Sequence, residues 1–219
     1  MKKSLIILLL LFASVSVQAQ NYYYSGGQQI QLLLDETQIV VGLYDVNSKQ
    51  ATQQKIANIS NSLNISDLQV GGWGGKTLII SNLNQKSSTL LLQGLQKSLV
   101  IDAEFVCLSY KVGNLPLYPT NNIILELQPN VAISSVLQMF GSAVSLEKSL
   151  KYDTYLLKVN QISRLFDIAN QIYTSGLVKY AHPDFIAPIK SNNPLYPDQF
   201  YLNNTGQNGG MPNINNHCV

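Results

Sequence analysis

Apolar and polar positions alternate along the chain in two successive blocks of the same plan. In the first, residues 38–44 are β-branched and aromatic, which favours a strand. Residues 48–63 carry Ile56, Ile59 and Leu63 at helical spacing behind Asn47 or Ser48 as a cap. Residues 68–72 and 76–81 read as two strands around a Gly-rich turn. Leu91, Leu92 and Leu95 then share one face of a helix over 85–97, and 99–111 is a final strand. The second block predicts a strand at 122–127, a helix at 133–140 and strands at 144–150 and 154–160. A helix at 162–173 and a strand at 178–188 complete it. The order β-α-β-β-α-β in each block is that of a ferredoxin-like unit. The expected class is therefore α+β, with two tandem units. Each is an antiparallel sheet with two helices on one face and the other face open to a partner.

The two blocks align at an offset of 78 residues. Leu99-Val100 falls on Leu177-Val178, Ala103 on Ala181 and Asn114 on Asn192. Pro116-Leu117-Tyr118-Pro119 falls on Pro194-Leu195-Tyr196-Pro197. So long a period excludes a solenoid and points to a duplicated small domain. Gly, Asn and two Pro interrupt the pattern at 113–121, so the expected units are 21–112 and 113–190. An extended tail over 191–219, Asn- and Gly-rich and without hydrophobic period, follows them.

Before the first block, Lys2 and Lys3 precede an apolar run of eight, residues 5–12, and a small-residue stretch ending Val17-Gln18-Ala19. This is the layout of an export signal with cleavage after Ala19. The run is shorter than the twenty or so residues a bilayer span requires. The expectation is a secreted or periplasmic protein with no membrane association once residues 1–19 are removed.

Charge removes several function classes. The 14 Lys+Arg against 12 Asp+Glu leave a net charge of +2, and neither cluster forms the basic stripe that nucleic acid requires. The 21 Asn and 19 Gln supply a neutral polar surface instead. Two cysteines, Cys107 and Cys218, are too few for a disulfide scaffold or a four-ligand zinc site. Cys107 lies in an expected strand, as a buried thiol rather than half of a bridge to Cys218.

Candidate chemistry is sparse. Gly71-Gly72-Trp73-Gly74-Gly75-Lys76-Thr77 imitates the end of a phosphate-binding loop, but Val70 stands where the first Gly belongs. A strand, not a helix, follows, so a hairpin turn is the better reading. His182-Pro183-Asp184 suggests an acid–base pair, yet its repeat counterpart Glu104-Phe105-Val106 points to an ordinary edge strand. His217 and Cys218 do not make a metal site. No Gly-x-Ser-x-Gly elbow occurs, and two His leave little room for a Ser/His/Asp triad. No catalytic residue, cofactor or metal is expected.

The run from Tyr180 to Lys190 (Tyr-Ala-His-Pro-Asp-Phe-Ile-Ala-Pro-Ile-Lys) leads into Asn193, Pro194, Tyr196, Gln199, Phe200 and Leu202-Asn203-Asn204-Thr205-Gly206-Gln207. Over about 30 residues this resembles the propeptide-to-protease junction of subtilisin-like serine proteases, peptidase family S8, with Phe200 in place of the usual Trp. The two-unit pattern upstream is similar to their fervidolysin-like prodomains. After Gly209-Gly210 the likeness stops, and no Asp-Thr-Gly, His-Gly-Thr or Gly-Thr-Ser-Met neighbourhood occurs, so no catalytic role carries over. The expectation is a chain truncated before the catalytic domain, with 191–219 a stub of its beginning.

The resemblance implies a non-catalytic chaperone and inhibitor of a subtilisin-like protease domain. It assigns the protease cleft to Phe185, Ile186, Pro188, Ile189 and Lys190, and cleavage to Lys190, Ser191 and Asn192. The alternative is a secreted binding or structural module with no protease connection.

Overall fold

The computed structural model describes residues 21–188, Gly74 excepted. Residues 21–187 form one compact unit of α+β class. It opens with a hairpin, β1 (Tyr22–Ser25) and β2 (Gln28–Gln31), that forms a two-stranded sheet of its own. The first block follows as β3 (Leu33–Leu43), α1 (Lys49–Ser62), β4 (Gln69–Trp73), β5 (Thr77–Ser81), α2 (Gln85–Ser98) and β6 (Ala103–Val112). The second is β7 (Leu115–Leu127), α3 (Ile133–Phe140), β8 (Val144–Ser149), β9 (Thr154–Val159), α4 (Leu165–Thr174) and β10 (Val178–Ile186). Among the described residues every strand pairing is antiparallel, in the order β4-β5-β3-β6 for the first block and β10-β7-β9-β8 for the second.

Each block buries its own core under two helices. Ile39, Val41, Leu43, Leu78 and Ile80 meet Ile56, Leu91 and Leu95 of α1 and α2. Ile123, Leu125, Leu157 and Val159 meet Val136, Leu165, Ile168 and Ile172 of α3 and α4. Local chemistry fixes the boundaries. Asn84 caps α2 by accepting from the Ser87 N–H at 2.9 Å, satisfying one donor of the free first turn. The strand expected from residue 99 starts only at Ala103. Leu99 instead closes α2 and turns the chain through an Asp102 N–H to Leu99 carbonyl bond of 3.0 Å.

Three expectations are revised. The strand expected at 122–127 begins earlier, within the stretch 113–121. Gly113, with φ +57°, makes a tight turn and β7 runs from Leu115 straight into the second block. β7 pairs with β6 over Leu115–Leu117 and with β9 over Asn122–Glu126, so the two sheets share one strand. Pro116 and Pro119 are tolerated because pairing changes partner along this strand and not every N–H is required. Next, the reverse face of the first sheet is not open. Val40, Ile79 and Phe105 are buried there with Tyr118 of β7, and Ile186 of β10 packs against them. Last, the hairpin β1–β2 belongs to no expected element.

Candidate functional site

Among the described residues the second sheet keeps a partly accessible reverse face, and strand periodicity determines what lies on it. With Ile123, Leu125 and Leu157 turned to the helices, Asn122, Ile124, Glu126, Leu156 and Lys158 point the other way. Pairing registers bring them into rows. Ile124 stands opposite Leu156 and His182, Glu126 opposite Thr154 and Tyr180, and Asn122 opposite Lys158. All of these are half-buried. The His182 ring stacks on Tyr180, with centroids 5.5 Å apart at 20°, and Tyr23 of β1 lies 6.4 Å away. The result is a small apolar and aromatic patch. Lys179 pairs with Glu126 at one margin and exposed Lys148 stands at another.

At the end of this patch the two sheets meet in an ionic group. Lys158 Nζ lies 2.8 Å from Glu104 Oε1, while Asn121 Nδ2 donates to Glu104 Oε2 at 3.0 Å. A cavity of about 180 Å³ adjoins it, lined among others by Lys76, Thr120, Asn122 and Glu147. The Asn122 Oδ1 is buried without a hydrogen-bond partner among the described residues.

A second cavity, about 190 Å³, lies where β6 parts from β7. Cys107 and Tyr110 form part of its wall with Leu92, Gln96, Ile162 and Phe166. Burial pushes the Cys107 thiol up to about 12, and burial, reinforced by Cys107, pushes the Tyr110 hydroxyl to about 12. Neither group is an activated nucleophile or base near neutral pH. Cys107 forms no disulfide among the described residues.

The residues singled out from sequence fall in different places. Phe185 and Ile186 are the last two residues of β10, opposite Pro119 and Tyr118. Phe185 packs between Tyr23 (5.5 Å) and Phe166 (6.2 Å), and Ile186 against the Val40–Phe105 cluster. Both residues thus belong to the sheet, which ends at Ile186. Pro188 lies outside regular structure. Ala19, Ile189, Lys190, Ser191 and Asn192 lie outside the described residues, as do His217 and Cys218. Within His182-Pro183-Asp184 the carboxylate accepts from Thr120 Oγ1 at 3.1 Å and is not hydrogen-bonded to the imidazole. The Gly-rich stretch is the β4–β5 hairpin, with Gly75 at φ +79° in its turn. Sequence reasoning missed Tyr23 and Phe166. The run Tyr22-Tyr23-Tyr24 ahead of Gly26-Gly27 was the available signal for an aromatic hairpin.

The fold and this surface define an α+β protein with one half-buried, mixed aromatic and charged sheet face. Among the described residues no three His, Cys, Asp or Glu side chains are grouped to hold a metal ion, and no helix is long and apolar enough to cross a membrane. No protein-family model matches the chain, and no curated protein matches it. Among solved structures it is similar to the C. elegans NONO-1 homodimer, at 9% identity and a TM-score of 0.25, over 75% of this chain and 67% of that one. At that score the likeness bears on neither fold family nor function.

Proposed function

We propose that this is an exported, non-catalytic, propeptide-like protein of two tandem ferredoxin-like units that chaperones and inhibits a subtilisin-like protease domain. The β-α-β-β-α-β order and the strand orders described above support the fold reading. One observation carries the functional reading: the reverse face of the second sheet is partly accessible while that of the first is closed. In this scheme the patch around Ile124, Leu156, Tyr180 and His182 packs on the protease and buries apolar area. The chain beyond Ile186, with Pro188, Ile189 and Lys190, adds as a strand along the substrate cleft, and cleavage falls at Lys190 to Asn192. In a tethered relative, effective concentration strengthens the contact; acting in trans, the protein relies on intrinsic affinity alone.

The test is inhibition of a purified subtilisin-like protease by two forms of the protein, one ending at Asn192 and one ending at Ala187. The longer form is expected to inhibit at least about tenfold more tightly, the worth of a few strand contacts. Equal inhibition by both sinks the cleft role. No inhibition by either, from well-folded protein, favours a secreted binding module instead.

A further inference from the structure

The end of β10 is poorly secured by its own backbone. Pro183 has no N–H to give to the ladder, and neither has Pro119, the partner of Phe185. The register also shifts between Pro183 and Phe185. The Thr120 hydroxyl, 3.2 Å from the Asp184 carbonyl, adds a local tie. What holds Phe185 is side-chain packing, and one of the two rings against it, Tyr23, comes from the far end of the chain.

The hairpin that carries Tyr23 is itself dependent on this contact. A two-stranded ribbon is marginal alone in water. Among the described residues this one pairs with no other strand and is fastened by three side-chain links. Tyr24 stacks on Tyr173 at 4.4 Å, Asn170 Nδ2 donates to the Tyr22 carbonyl at 2.9 Å, and Tyr23 lies against Phe185 and His182.

We infer that the hairpin Tyr22–Gln31 is a clamp that fixes where the C-terminal segment leaves the sheet, by holding Phe185 of β10 against β7. With the clamp closed the chain departs after Ile186. With it open, β10 frays back toward Pro183 and the departing segment gains three residues of slack, 184–186. The regulatory consequence rests on the proposed function, because that segment is the one assigned to the protease cleft. The clamp itself does not.

Hydrogen exchange on the whole protein tests it without any protease. In Tyr23→Ala, amides of residues 184–187 are expected to exchange about three- to tenfold faster, the size of one lost aromatic contact. Amides of β3 and β5 keep their rates, and Tyr23→Phe, which retains the ring, keeps wild-type protection throughout. Unchanged exchange at 184–187 in Tyr23→Ala overturns the clamp. So does acceleration spread evenly over both blocks, which would make Tyr23 a general stabiliser. A parallel inhibition assay with Tyr23→Ala reads the consequence for the cleft segment; its failure alone, with the exchange result as expected, falsifies the propeptide reading and leaves the clamp standing.

Discussion

The ring of Phe105 fills the space over Gly42, its partner across β3 and β6. A Cβ at Gly42 would stand 2.5 Å from Phe105 Cζ and nearer still to Cε1. Gly42 is thus present for the space it leaves and not for its backbone freedom. Gly42→Ala is expected to destabilise by about 1–3 kcal/mol, as overpacking of a tight core does. Phe105→Leu in the same chain should recover part of that loss, because the two sites share one volume. Urea midpoints of the two single variants and the double variant check it, and additive losses would refute the contact.

Asp35 gives the fold an acid limit. Burial raises its pKa, but the Thr37 hydroxyl (2.6 Å), the Thr37 N–H (3.0 Å) and Lys111 (2.9 Å) outweigh this and hold the carboxyl below its usual 3.8. A depressed folded-state pKa contributes stability that is fully present above the unfolded value. It is lost as pH falls through the folded one. Asp35→Asn should therefore be less stable than wild type at pH 7, by about 1–3 kcal/mol for a charged hydrogen-bonded group. The gap should narrow as pH falls below the ordinary 3.8 and close once the wild-type carboxyl is protonated. Thermal melts from pH 2 to 7 would show the two curves converging.

Cys107 reports on opening. With its thiol pushed up from 9.0 to about 12, the thiolate fraction near pH 8 falls on the order of a thousandfold. Alkylation by iodoacetamide in native buffer should be markedly slower than in denaturant. Fast labelling of the native protein would contradict the burial.

The Glu104–Lys158 pair, partly exposed at both ends, joins the first block to the second. Lys158→Met is expected to cost about 1 kcal/mol or less at low salt, and the difference should vanish near 1 M salt. A loss of several kcal/mol independent of salt would mean that the link is not principally ionic.

Much of the fold was legible because periodicity and burial agreed. The helix bounds of α3 coincide with expectation, and Leu91 and Leu95 face the core as their spacing required. The offset of 78 residues also holds in space, placing Ala103 and Ala181 both in the last strand of their block and both buried. Its limits are equally physical: Val178 is a core residue, while its counterpart Val100 is 66% exposed in the turn after α2. The early start of β7 was hidden because Pro116 and Pro119 were read as breakers, although proline at a strand position with no donor duty is harmless. The closed face of the first sheet was signalled by the unbroken apolar runs Ile39-Val40-Val41 and Leu78-Ile79-Ile80. Such runs mark strands covered on both sides rather than one. The patch on the second sheet could not be read in advance, since it is defined by which face the hairpin and first block leave uncovered.

β7, thirteen residues long, ends one sheet and runs through the middle of the other. Pulling the halves apart would tear a strand out of one of them, so neither can melt first and leave its neighbour whole. The chain should unfold in a single cooperative transition. Its two blocks are inseparable, and cannot be excised, shuffled or exchanged singly as beads on a string can.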